Sequence, residues 1–448
     1  MFQVMPPVVA DALRGGKGWF TAEAAKVTPG AFIRGHVMAS CGIDFGTSNS
    51  TLGLATAEGA RLVALEGAEV TLPSAVFWAE DGPPLMGRAG IAAYLEGEDG
   101  RLMRGLKSTL GSGLIAERTK VGNRTVSFRE VLGRFIAAMR AHAPEARAVV
   151  LGRPVHFVDD DAEGDARAEA ALAEIAREVG FDQVAFQYEP IAAALDYESR
   201  LSGEELVLIV DIGGGTSDVS LVRVGPARAK MADRAGDILG NDGIRLGGTD
   251  VDRLLSLASA LPHLGFGATT KGGAGTMPRH YYLDLATWHR INVMYTRQTS
   301  SDLKALRHEI DRPELIDRLM ALIDGHHCHA LAMDVERVKI ALSSVEAERL
   351  MLAPLCGAPN PVLRRAAMDE ILAPPLARLE TLIIRVLAQG GVQADEVQTV
   401  FLTGGSSRLP ALQALTSRLL PNARQDRGDD FGSVGTGLAL EAARRFGA

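Results

Sequence analysis

The chemistry in this chain is concentrated in two stretches that repeat each other. One reads Ile43-Asp44-Phe45-Gly46-Thr47-Ser48-Asn49, the other Val210-Asp211-Ile212-Gly213-Gly214-Gly215-Thr216-Ser217-Asp218. Each is an apolar run ending in Asp, followed by a glycine turn that presents Thr-Ser and returns into a second apolar run. Glycines at such a tip let backbone N–H groups approach an anion closely, and the hydroxyls of Thr47, Ser48 and Thr216 add donors. An Asp at each strand end suits a hydrated Mg²⁺, which takes oxygen ligands and gives up its water reluctantly. The expected arrangement is two similar lobes, each offering one hairpin tip to a clamp for a nucleoside triphosphate.

A third turn adds to the set. An apolar strand near 400–402 runs into Gly404-Gly405-Ser406, where Ser406 can cap the helix that follows and Arg408 can lie flat on an aromatic base. Glu336, Lys339 and Ser343 stand at i, i+3 and i+7 of an amphipathic helix and share one face, which by itself also reads as a solvated polar face with a Glu–Lys pair. Lys107 alone reads as a surface lysine, and Glu189 before Pro190 as a favourable helix start. The run Gly325-His326-His327-Cys328-His329 invites a metal reading, but ligands so close in sequence cannot all face one ion and no second cluster completes a site. The aromatics Tyr281, Tyr282 and Trp288 read as core or as a partner surface.

These residues need elements to hold them. At 448 residues the chain exceeds what one hydrophobic core serves. Alternating strands and helices predict an α/β fold. Helices are expected at 162–180, 191–200, from 251, across 303–349, at 409–420 and at 435–446, and irregular chain at 262–300. Residues 38–205 form the first lobe, 206–421 the second with a remodelled part at about 250–345, and 422–448 return to the first. Residues 1–37 read as a loosely ordered extension, or as lying upstream of a natural start at Met38. The net charge of −8 argues against a general nucleic-acid binder. No apolar run is long enough to span a bilayer. Three unpaired cysteines make a reducing cytoplasm the default compartment.

The three turns, in this order, resemble the actin-like ATPase superfamily, and within it the seventy-kilodalton heat-shock proteins (DnaK type), specifically their short YegD-like branch. Residues 43–48 resemble that family's first phosphate loop, and 211–218 its second almost letter for letter. Similar to family segments are also Glu189-Pro190-Ile191-Ala192-Ala193-Ala194, Leu246-Gly247-Gly248-Thr249-Asp250-Val251-Asp252, the helix at 336–343 and the turn at 402–408. The resemblance implies the following roles. Asp44 and Asp211 hold Mg²⁺ through its waters, and Thr47 and Thr216, with Gly46, Ser48, Gly213, Gly214 and Gly215, meet the phosphates of ATP. Lys107 orients the attacking water, which Glu189 helps to position. Gly247, Gly248, Glu336, Lys339, Ser343, Gly404, Gly405, Ser406 and Arg408 surround ribose and base. Ile340 departs from the family's adenine-sandwiching arginine, and Gly152-Arg153-Pro154-Val155 from its usual strand end. The match stops near the C-terminus, so an ATPase domain without a peptide-binding domain is expected, hydrolysing ATP slowly and acting as a two-state clamp on a protein partner. A small-molecule kinase of the same superfamily and an ATP-dependent filament or scaffold protein are the alternatives.

Overall fold

The computed structural model describes residues 39–56, 59–231, 234–273, 275–429 and 432–447. The expectations for residues 1–37 and for Met38 fall outside them. Ser40–Phe45 and Glu205–Ile212, almost entirely buried, each become the middle strand of a sheet. Strands buried on both faces read as continuous apolar runs, and both segments do.

The two sheets have the same plan. In the first the order is Gly59–Leu62, Asn49–Thr56, Ser40–Phe45, Ala148–Arg153, Gln183–Tyr188, with Thr71–Pro73 added beside Asn49–Thr56. In the second it is Ile238–Ile244, Ser217–Val224, Glu205–Ile212, Thr399–Thr403, Arg424–Arg427. Reading outward from the middle strand, both sheets have two antiparallel pairings on one side and two parallel pairings on the other. The last two parallel strands of each lobe are joined by one helix, Ala162–Glu178 or Pro410–Leu419. The repeated sequence motif is thus the visible part of a repeated α/β unit, and the two-lobed actin-like fold is present.

Each unit ends in a helix, and these two helices tie the lobes together. Glu189–Glu198 and Ser433–Phe446 pack against each other between the sheets, in a core that joins Val150 of the first sheet to Val207, Ile209, Val222 and Phe401 of the second. The last helix lies on the first sheet, although its chain has just left the second. Glycines allow the approach: a Cβ on Gly437 would collide with the Ala192 carbonyl, and one on Gly53 would sit 2.9 Å from the Ala439 Cβ.

Most expected elements form within a few residues of their predicted ends, such as Ala162–Glu178, Glu189–Glu198, Gly248–Leu255, Pro410–Leu419 and Ser433–Phe446. Three differences stand out. The segment 262–300 is not irregular: it carries the helices Arg279–Leu285 and Arg297–Leu306 and a 3₁₀ stretch, Trp288–Tyr295. The helical run across 303–349 breaks into Pro313–Asp324 and Cys328–Leu342, and Ala347–Arg349 is a strand. The longest helix, Arg365–Gly390, runs through Pro374 and Pro375, a pair that argues against a helix in sequence. Its buried stripe, Met368, Leu372, Pro375, Leu379, Leu382 and Val386, supplies the packing that outweighs the lost hydrogen bonds. Among the described residues no helix is long and apolar enough to cross a membrane.

The tight helix contact gives a test. Gly437→Ala places a methyl against backbone that cannot retreat, and should destabilise the fold by roughly 3 kcal/mol. Gly113→Ala, whose added Cβ meets nothing within 4 Å, should stay within about 0.5 kcal/mol of the parent. Thermal melts of both variants check this; equal melting temperatures would show that the helix pair yields.

Candidate functional site: a carboxylate-ringed cleft between two glycine tips

The floor of the cleft is a buried ion pair. Gly105, at φ +68°, turns the chain into a 3₁₀ turn, Leu106–Thr109, that aims Lys107 inward. Its ammonium pairs with Glu189, the first residue of the inter-sheet helix, and each residue is 7% exposed. Three more carboxylates act on the pair. Asp44 ends the middle strand of the first sheet, Asp211 that of the second, and Asp218 faces Asp211 across the hairpin. Burial, then the Glu189 charge, pushes Asp44 up to about 7 against the pull of Lys107. The same two causes bring Asp218 to about 7, and burial, Glu189, Asp218 and Asp44 together hold Asp211 well above the usual carboxylate range. Burial presses the Lys107 ammonium downward, but Glu189 and Asp44 outweigh it and leave it raised. Four carboxylates around one ammonium leave a surplus of negative charge that a divalent cation would neutralise. Among the described residues no three His, Cys, Asp or Glu side chains converge as direct metal ligands. The donor set therefore fits a cation that keeps its water, as Mg²⁺ does.

Above this floor the two tips meet. A Cβ on Gly215 would lie 2.7 Å from Thr47 Oγ1, and one on Gly214 would collide with Ser48 Oγ. The N–H groups of Thr47, Ser48, Gly214 and Gly215 find no backbone acceptor in the described turns and loops, so they form an anion-binding concavity. Ser74 braces the first tip, donating to the Gly46 carbonyl at 2.6 Å. The second tip is held from behind, where Gly248 N–H donates to Gly213 O at 3.0 Å and Thr249 N–H to Gly214 O at 2.8 Å. Gly247 packs so closely on the Gly214–Gly215 peptide that a side chain there would strike it at 2.5 Å. Gly404, at φ +80°, turns beneath Asp211, where a Cβ would lie 2.6 Å from its carboxylate. Thr403, in register with Asp211, carries a buried hydroxyl without a partner among the described residues.

The remaining predicted residues line the other end. Lys339 donates to the Gly248 carbonyl at 3.2 Å and pairs with Asp252 at 2.8 Å. Burial moves that Asp up to about 6 in spite of Lys339. Ser406 Oγ would meet a Cβ on Gly248 at 2.6 Å, and Gly405 opens the turn that carries it. Glu336 reaches across the cleft to Arg104 at 3.2 Å; burial pushes its carboxyl up, but Arg104 and Lys339 outweigh this and hold it low. Ser343 and Arg408 line a cavity of about 340 Å³ together with Ser344, Pro410, Gln413, Arg427 and Gly428. The residues assigned in sequence to the phosphates, the cation and the nucleoside thus lie in three groups: the carboxylate floor, the glycine tips and the open cavity.

Several members of the cleft were not among them. Asp218 belongs to the second motif but was not assigned a role; besides joining the carboxylate floor it accepts from Val155 N–H at 2.6 Å and so links the lobes. Its in-register pairing with Asp211 was readable once the hairpin was assigned. Arg104, stacked 4.2 Å over Trp288, had no local signal; Asp252 ends a family-like segment but was given no role, and only folding brings the two to Glu336 and Lys339. Tyr281, Tyr282 and Trp288 are core, 8%, 0% and 8% exposed, and not partner anchors. In the histidine run, His329 is buried with Nδ1 2.9 Å from the Tyr94 hydroxyl, and His327 Nδ1 is 2.8 Å from the Leu355 carbonyl.

Comparison with known proteins agrees with this geometry. A family profile described as Hsp70 protein matches residues 106–258 and 306–444. The chaperone protein DnaK of Thermus thermophilus is 26% identical over 446 residues, covering 91% of this chain and 61% of that protein. A chaperone protein HscA homolog of Methylibium petroleiphilum is 25% identical over 430 residues, with 91% and 58% covered. The DnaK of Cenarchaeum symbiosum is 24% identical over 412 residues, with 90% and 53% covered. The chain spans little more than half the length of these relatives.

The crowded carboxylates have a measurable consequence. Asp44 and Asp218, raised to about 7, keep their protons in the folded chain at pH values where the unfolded chain has released them. The metal-free fold therefore loses stability as pH rises from about 4 to about 7. Asp211→Asn removes one charge from the ring. It should raise the metal-free melting temperature, more at pH 8 than at pH 5.5, and abolish the rise that added Mg²⁺ produces in the parent. A lower melting temperature at pH 8 would show that Asp211 supports the fold as a charge.

Proposed function

The chain belongs to the Hsp70 family, and on that premise we propose that it binds ATP with Mg²⁺, hydrolyses it slowly and uses the nucleotide to set the closure of its two lobes. One observation carries this reading: two matched Asp–Gly–Thr turns, one from each lobe, meet tip to tip above a buried Lys107–Glu189 pair ringed by Asp44, Asp211 and Asp218. Phosphoryl transfer to water needs charge neutralisation and positioning rather than a covalent nucleophile, and the cleft offers donors and charges of that kind.

Asp44 and Asp211 hold the waters of the cation. Mg²⁺, when bound, neutralises the phosphate charge. The free N–H groups and hydroxyls of the two tips bind the phosphates, Thr47 and Gly46 from one lobe, Gly213, Gly214, Gly215 and Thr216 from the other. Lys107 orients the attacking water, with Glu189 fixing the ammonium. Gly247, Gly248, Glu336, Lys339, Ser343, Ser406 and Arg408 hold the nucleoside. Because the tips belong to different lobes, a γ-phosphate bound to both favours closure through contacts ADP cannot make. Glu189 heads the helix that lies against the second sheet, so a shift at the phosphates is passed directly to the inter-sheet helices. The output is a nucleotide-dependent grip on a protein client or partner in the cytoplasm, as the chaperone names of the relatives suggest.

Lys107→Ala tests the chemistry. Single-turnover hydrolysis should fall by roughly 10² or more, while ATP affinity changes by only a few-fold, because the role belongs to the transition state. Equal losses of binding and hydrolysis would make Lys107 a structural cation and remove it from the mechanism.

A further inference from the structure

The cavity at the far end of the cleft has an unusual donor balance. It opens beside the Gly404–Ser406 turn and is lined by Ser343, Ser344, Arg408, Gln413 and Arg427. Its volume of about 340 Å³ lies in the range of small-molecule sites. Among the described residues no carboxylate lines it. Arg408 and Arg427 each bring a guanidinium, which has five donors and no acceptor. Arg427 ends the edge strand Arg424–Arg427, and among the described residues its side chain makes no ion pair or hydrogen bond. One turn before Ser343, on the same helix, Ile340 stands 60% exposed. An aliphatic side chain can cover the face of any purine and does not select among bases.

The edges of the purines differ in what they need. A 6-oxopurine presents two acceptors, O6 and N7, whereas adenine presents the acceptor N7 beside the donor N6. Gln413 spends its amide N–H₂ on the Ser407 and Arg408 carbonyls, at 3.3 Å each. Its oxygen, and the two serine hydroxyls, are left as acceptors for an adenine amino group. Arg427 supplies what adenine cannot use in full, a pair of donors for O6 and N7. We propose that the nucleoside end of this cleft accepts 6-oxopurine nucleotides as readily as adenine nucleotides, with Arg427 as the residue that reads their O6/N7 edge. This rests on the nucleotide reading above, and the test separates the two.

The experiment is displacement of N-methylanthraniloyl-ADP from the purified chain by ATP, GTP, ITP and inorganic triphosphate with Mg²⁺ present. ATP, GTP and ITP should compete within about threefold of one another, and inorganic triphosphate far more weakly. Arg427→Gln, at an exposed position and checked for folding by its melting temperature, should weaken GTP and ITP about tenfold more than ATP, the loss expected for one bidentate base contact. A preference for ATP of about thirtyfold or more in the parent overturns the proposal. So does equal weakening of all three nucleotides by Arg427→Gln, or competition by inorganic triphosphate that matches GTP. If no nucleotide binds, the nucleotide reading itself fails and this one with it; if ATP alone binds tightly, only this one fails.

Discussion

Four carboxylates, three of them buried and Asp44 half-buried, share a single ammonium, and the rest of the cleft is arranged around that imbalance. Asp44, Glu189, Asp211 and Asp218 come from both lobes and from the helix between them. None can move away without unpairing a sheet or shifting a helix. The crowding raises Asp44 and Asp218 well above the usual carboxylate range, and Lys107 is placed where it acts on all of them. Such a centre is poorly satisfied by its own atoms and well satisfied by a hydrated cation carrying an anionic ligand. Strain of this kind at a site, balanced by packing elsewhere, is the usual trade between stability and function.

The repeated unit explains why the charges converge. Each lobe ends its middle strand in Asp and follows it with a glycine turn, and the two sheets have one strand order and one set of directions. The terminal helix of each unit is packed in the same inter-sheet core. Two copies of one plan, related through these helices, place the same turn on each side of a single cleft. Glycine is needed wherever the copies touch. Gly214 and Gly215 face Ser48 and Thr47, Gly247 faces the second tip, and Gly437 faces the helix bearing Glu189. These are steric demands, and a methyl group at any of them would push apart surfaces that the site needs in contact.

The family match is not continuous along the chain. The Hsp70 profile matches from residue 106 and leaves out an internal stretch, 259–305, in which Tyr282, Leu285, Ile291 and Met294 are buried in the second lobe's core. At the open end of the cleft Ile340 is exposed and Arg427 lines the cavity. The two ends answer to different constraints. The tips and carboxylates touch one another closely, so they tolerate little change. The residues lining the open cavity can be exchanged while the tips keep their geometry.

Sequence alone determined the two Asp–Gly–Thr turns, the third glycine turn and the α/β class, because each depends on local chemistry. Glycine where backbone must come close, apolar runs of strand length and a proline at a helix start are all visible within a few residues. It also placed Glu336, Lys339 and Ser343 on one helical face, since their spacing follows the helical period. Tertiary structure decided the rest. Lys107 reads alone as a surface lysine, and only folding brings it to Glu189. Arg104 and Asp252 become partners of Glu336 and Lys339 across long stretches of chain. Arg365–Gly390 stays helical through two prolines because its buried face outweighs a local preference that sequence reads correctly. Local rules report what one segment prefers; which charges must share a pocket is settled by the packing of segments far apart in the chain.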